Sequence, residues 1–164
     1  GESGFFFFFR AETGPITVFQ GAAQLSLDAK GRLTVPTRHR DGLLTPAAGK
    51  LVLTGHPHYC LLMYPEPAWP PIRDELLRVG AFDPQTARWK RLMIGFAEET
   101  EVDGSGRILI SPELRKFAGI DRQVMMVGQG THFEVWSVDR WEAEMAKLAE
   151  GDGKPPPGLE NFAL

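Results

Sequence analysis

With a single cysteine, Cys60, among its 164 residues, the chain has no internal disulfide framework, which fits a reducing compartment. No apolar run approaches the length of a membrane-spanning helix. The run Phe5–Phe9 is too short for the core of a signal peptide, and no basic segment precedes it. The patterns G-x-S-x-G, H-E-x-x-H and the phosphate-binding loop are all missing, which argues against the common hydrolase, zinc-protease and nucleotidase chemistries. Excess positive charge is missing too. The net charge of −3 argues against indiscriminate attraction to nucleic acid. That charge is unevenly spread, however: Phe19–Leu44 holds four bases against two acids, and residues 139–164 hold six acids against three bases.

What the chain does contain is one five-residue stretch written twice, Asp28-Ala29-Lys30-Gly31-Arg32 and Asp103-Gly104-Ser105-Gly106-Arg107. Each copy reads as a tight hairpin tip. Asp at the first position bonds its side chain to the backbone two residues on, and Gly at the fourth accepts the positive φ that closes the turn. Asp28, Gly31, Asp103 and Gly106 are therefore the candidate loop-shaping residues. Arg32 and Arg107 then start the next strands close to the tips, where a guanidinium can fork onto a guanine edge or a phosphate.

The copies are part of a longer duplication. At an offset of 75, Leu27-Asp28-x-x-Gly31-Arg32-Leu33-x-Val35 falls over Val102-Asp103-x-x-Gly106-Arg107-Ile108-x-Ile110. Further on the offset slips to 73, as from an ordinary loop deletion, so that Leu53-Thr54-Gly55 falls over Met126-Val127-Gly128. Alternation predicts a strand over Ala23–Leu27, and Pro36 starts a short helix running to about Leu44. Leu51–Thr54 and Tyr59–Tyr64 read as a second hairpin, and a helix follows near Ile72–Val79. Asp83-Pro84 caps another helix, in which Trp89, Leu92, Met93 and Phe96 form one apolar stripe. The second half repeats the order: a strand to Val102, another over Arg107–Ser111, a helix from Pro112, and strands Gln123–Gly128 and His132–Ser137. A last helix, Val138–Ala149, precedes a Gly- and Pro-rich tail in which Leu159, Phe162 and Leu164 offer a loose anchor. Two such halves pair through an approximate two-fold axis, as a homodimer would. Paired tips suit a duplex, whose grooves recur about every 34–36 Å along one face.

In these residues the chain resembles the MraZ family, regulators built from two AbrB-like (SpoVT-AbrB) halves. The likeness is carried by Phe19-x-Gly21-Ala22, by Leu27-Asp28-Ala29-Lys30-Gly31-Arg32-Leu33-x-Val35-Pro36-Thr37-x-x-Arg40, by Cys60-Leu61-Leu62-x-Tyr64-Pro65 and by Asp103-Gly104-x-Gly106-Arg107. It implies an α+β, mainly β fold of two pseudo-symmetric repeats forming one compact body, with connecting and C-terminal helices. The repeats are expected at 18–80 and 97–150, each with its helix, joined by a connecting helix at 81–96. Residues 1–17 are expected to be a leader outside the fold, vector-derived or from an over-early start, and residues 151–164 a flexible tail. The resemblance further implies a ring-shaped homo-oligomer that binds short direct repeats in duplex DNA upstream of the division and cell-wall gene cluster, its own promoter included. The setting would be the cytoplasm and nucleoid, with no membrane, cofactor or small-molecule substrate. Arg32, Lys30 and Arg107 are the candidate DNA-binding residues, joined by Arg38 and Arg40 from the basic stretch. Ser105 replaces Lys30 in the second copy, so the tips are not expected to contribute equally.

Plainer readings stand beside these. His56, His58 and Cys60 alternate as metal ligands do, yet a structural zinc site needs four ligands, so they read as a loop His pair and a buried thiol. Trp89 and Trp136 are expected in the core rather than as base-stacking platforms. Asp28 and Asp103 as a carboxylate pair would be an enzyme reading, and turn-making accounts for them more simply. The rival to DNA binding is a ring-forming scaffold whose tips contact protein.

Overall fold

The computed structural model describes residues 18–80 and 82–163, so the expected leader lies outside the described residues. Eight strands among these residues form two antiparallel sheets: β1 (Ala22–Ser26), β2 (Arg32–Thr34), β3 (Lys50–Gly55), β4 (Leu61–Pro65), β5 (Glu98–Glu101), β6 (Arg107–Leu109), β7 (Gln123–Gly128) and β8 (Phe133–Ser137). Six of them lie in the order β1-β7-β8-β4-β3-β5, and β2 pairs with β6 in a ladder of its own. Among the described residues, five α-helices complete the α+β fold: α1 (Thr37–Ala47), α2 (Trp69–Arg78), α3 (Pro84–Met93), α4 (Pro112–Ala118) and α5 (Val138–Ala146).

Exchanging the two halves maps the six-strand order onto itself, so a pseudo-two-fold axis runs between β8 and β4. The registers carry both offsets read from the sequence. Leu33 stands opposite Ile108, its own counterpart 75 residues on. Ser26 stands opposite Gln123, and its counterpart Glu101 stands opposite Lys50, which is 73 residues before Gln123. The two-residue slip falls in the segment of α1 and α4, which have 11 and 7 residues, so the second copy has a shortened helix rather than a shortened loop.

The hairpin reading of the tips needs correction. Each turn closes on itself, but the strands beside it do not pair with one another. β1 pairs with β7, β5 with β3 and β2 with β6, each across the halves. Alternation tells which face of a strand is buried, not which strand lies beside it. The Leu51–Thr54 and Tyr59–Tyr64 hairpin does form, as β3 and β4.

The main core lies on one face of the large sheet and joins both halves. Leu33, Val35, Ile108 and Ile110 from the β2–β6 region pack there with Leu51, Leu53, Val124, Met126, Phe133 and Val135. The opposite face is covered in two places. Trp69 and Met93 cover Val52, Leu62 and Tyr64, and Trp141 of α5 packs with Cys60, Val127 and Trp136. Three of the helices start at side-chain caps: Asp83 accepts the Thr86 N–H, Ser111 that of Leu114, and Ser137 that of Arg140. Several boundaries differ from the sequence reading. α1 runs on to Ala47, α2 begins at Trp69 after a 3-10 turn at Glu66–Ala68, and α5 gives way to a 3-10 turn at Lys147–Glu150.

The apolar stripe of α3 is only half used. The helix ends at Met93, and Phe96 lies in the turn beyond it, its ring edge-on to Phe117 at 5.6 Å. Trp89 is 42% exposed and Phe96 39%, while Met93 is buried and Leu92 packs beside it. Trp136 is buried, as expected. In the tail, Leu159 and Phe162 stay exposed and anchor nothing, and Leu164 lies outside the described residues. Among the described residues, no helix is long and apolar enough to cross a membrane.

Candidate nucleic-acid interface

Each tip is organised by its aspartate. The Asp28 N–H donates to the Arg32 carbonyl at 2.9 Å, and the Gly31 N–H donates to the Asp28 carbonyl at 3.0 Å. The Asp28 side chain then accepts three bonds. Oδ1 takes the N–H groups of Lys30 (3.0 Å) and Arg32 (2.9 Å), and Oδ2 takes Nε of Arg32 at 2.7 Å. Asp103 repeats the pattern with Ser105 (2.9 Å), Arg107 (2.8 Å) and Nε of Arg107 (2.9 Å). Backbone donation from Arg32, aided by its guanidinium and by the Lys30 N–H, holds the Asp28 carboxyl at about 2, against an ordinary 3.8. The Arg107 N–H leads the same downward shift at Asp103. Each aspartate therefore bonds both the turn backbone and the arginine side chain.

Arg32 and Arg107 remain accessible, with side chains 26% and 34% exposed. Among the described residues, only Nε of each is hydrogen-bonded, leaving the terminal Nη edge for a two-pronged contact. Because Leu33 and Ile108 point into the core, Arg32 and Arg107 share the outer face of the β2–β6 ladder. Arg32 stands opposite Leu109 and Arg107 opposite Thr34. The two are thus offset by two residues on paired strands, so their Cα atoms are roughly 9 Å apart. That spacing corrects the comparison with successive turns of a duplex, which lie about 34–36 Å apart, far more than separates the two arginines.

Further cations surround the ladder. Lys30 is exposed on the first tip, where the second has Ser105. Nε of Arg40, in α1, donates to the Val35 carbonyl at 3.0 Å, and its guanidinium lies against Gly106 of the opposite half. Arg115, in α4, does the same with the Ile110 carbonyl at 3.0 Å and with Gly31. Both glycines have positive φ, +86° at Gly31 and +77° at Gly106, and a Cβ on either would strike the guanidinium. Arg115 was missed in the sequence, although extending the 75-residue offset from Arg40 leads directly to it. Arg38 is not brought into this group. Its Nε donates to Nε2 of His39 at 3.1 Å, and its guanidinium lies beside Gly21. His39 itself is buried against Phe19 and Phe133, and burial, then the Arg38 charge, lowers its pKa.

The His56 and His58 rings meet edge-on at 4.7 Å in the β3–β4 loop, and the His58 N–H donates to Nδ1 of His56. Cys60 is fully buried, and burial, reinforced by Glu134, pushes its thiol pKa up. These are the loop pair and core thiol that the sequence reading favoured. Among the described residues, no group of three or more His, Cys, Asp or Glu side chains is placed to hold a metal ion.

Comparison with known proteins follows the same two-fold division. The family model of MraZ protein matches residues 18–92 and, a second time, residues 93–154. The chain belongs to the MraZ family. Among similar MraZ proteins, the transcriptional regulator MraZ of Azoarcus sp. (strain BH72) is 53% identical over 148 residues, covering 90% of this chain and all of that protein. Those of Dechloromonas aromatica (strain RCB) and Methylobacillus flagellatus, under the same name, are 52% and 51% identical with the same coverage. These MraZ relatives are named as regulators of transcription, not as enzymes.

Proposed function

We propose that this protein is a sequence-specific DNA-binding transcriptional regulator that reads a duplex with the outer face of its β2–β6 ladder. The observation that carries the reading is the pair of aspartate-held guanidiniums, Arg32 and Arg107, side by side at a spacing that one major groove accommodates. A bidentate guanidinium on guanine is the commonest base-specific contact, and fixing its Nε beforehand lowers the entropy lost on binding. The family supports the finer reading. The targets are short direct repeats upstream of the division and cell-wall gene cluster, the protein's own promoter included. A ring-shaped homo-oligomer in the cytoplasm, on the nucleoid, engages several repeats together, so that modest contacts per subunit multiply into avidity. An acidic total charge is compatible with this, since only the ladder face need be positive.

The test is a gel shift at physiological salt with the promoter fragment and with random duplex. Wild type should prefer the promoter. Arg32→Ala should lose that preference, a cost of roughly 1–3 kcal/mol per bidentate contact. An Arg32→Ala protein that keeps wild-type preference would rule out the tip assignment. No shift at micromolar protein would favour the scaffold whose tips contact protein.

A further inference from the structure

Arg32 and Arg107 are each already paired with a carboxylate, at 2.7 Å to Asp28 and 2.9 Å to Asp103. An arginine so paired can still read a base edge, but it adds little net attraction for a phosphate backbone. Arg115 and Arg40 differ: among the described residues, neither forms a salt bridge with an acid. Each is fixed nonetheless. Nε is bonded to a carbonyl at one end of the β2–β6 ladder, and three guanidinium atoms of Arg115 stand 2.8, 2.9 and 3.0 Å from the Cβ position of Gly31. The matching values for Arg40 at Gly106 are 2.9, 3.0 and 3.2 Å. Near-equal distances mean that the planar group lies face-on to the glycine. The glycine is buried beneath it, and the side chain itself is half-buried.

From this arrangement we infer that Arg115 and Arg40 supply the phosphate contacts at the two tips, each serving the tip of the opposite half. The inference rests on the DNA-reading function proposed above and divides its labour. The aspartate-held Arg32 and Arg107 discriminate among bases, while the uncompensated Arg115 and Arg40, with Lys30, provide sequence-independent attraction. Each tip's cationic surface is thereby built across both halves. The two tips are unequal: the first holds Lys30 beside Arg115, whereas the second has Ser105 beside Arg40.

The experiment measures dissociation constants for promoter and random duplexes over a series of salt concentrations, with melting curves run in parallel. Arg115→Gln should weaken both duplexes by the same factor and leave their ratio unchanged. It should also lower the slope of log affinity against log salt by about 0.9 per subunit engaged, the value for one lost phosphate contact. Arg40→Gln should do the same at the other tip, and Arg115→Lys, which keeps a cation, should restore most of the slope. A folded Arg115→Gln or Arg40→Gln protein with the wild-type slope overturns the inference. Should Arg115→Gln fail to fold, Arg40→Gln decides it by the same criterion. Arg32→Ala in the same series separates the two levels. Lost preference there with an unchanged slope in Arg115→Gln sinks only this inference, whereas unchanged preference in Arg32→Ala sinks the tip assignment beneath it.

Discussion

At the scale of single residues, the Asp28 carboxylate does what a simple turn-former would not, since the same side chain that closes the turn also holds Nε of Arg32. Its lowered pKa sets the sign of the pH response. The ionised form stabilises the folded turn, so that stabilisation is complete above the ordinary value of 3.8 and is lost as pH falls towards about 2. At pH 3 the folded turn should still carry an ionised Asp28. An NMR titration of the Asp28 carboxyl carbon should therefore give a midpoint near 2, and a midpoint near 4 would show that the Arg32 pair does not form in solution. Lys30 makes no such bond with its side chain among the described residues and stands exposed. Lys30→Ala should weaken promoter and random DNA alike and flatten the salt dependence, whereas Ser105→Ala, at the equivalent position, should change neither. Fluorescence anisotropy at two salt concentrations distinguishes the pair.

At the scale of elements, the β2–β6 ladder is only three residues long on each side, and it holds its arginines because its inner face is locked in the core. Leu33 and Ile108 are fully buried opposite one another. Leu33→Ala should cost about 2–5 kcal/mol of stability by urea denaturation, with loss of DNA binding once the ladder loosens. A cost below about 1 kcal/mol would mean that the ladder does not depend on this contact. The alternation that marks Leu33, Val35, Ile108 and Ile110 as inward-facing was legible in the sequence, and so were the cap at Asp83 and the turn at Asp28. The fate of the α3 stripe was not. Trp89 and Phe96 have the spacing of a buried face, but the helix stops at Met93, and whether a stripe is covered depends on what packs against it. Arg115 was hidden for a different reason. Its role comes from lying on a glycine of the other half, a contact between residues 84 positions apart in the chain.

At the scale of the whole molecule, most sheet pairing crosses between the halves. Among the described residues, the only pairing within a half is β3–β4 or β7–β8; β1–β7, β2–β6, β3–β5 and β4–β8 all join one half to the other. A fragment of residues 18–92 would leave the backbone groups of β1 and β2 without their ladder partners, at a cost no short helix can offset. It should therefore dimerise, the second copy replacing the missing half, or fail to fold. A folded monomer of this fragment in size-exclusion chromatography with light scattering would refute the exchanged pairing. The sequence by itself determined the duplication, the turn chemistry of the two Asp-x-x-Gly-Arg stretches and the inward face of nearly every strand, because these are local properties of residue type and spacing. Tertiary structure alone decided which strand lies beside which, that the two arginines share one face of the β2–β6 ladder, and that Arg40 and Arg115 cross over to the opposite tips. Those outcomes follow from closing a sheet between two halves, where hydrogen-bond partners and core contacts are chosen at long range.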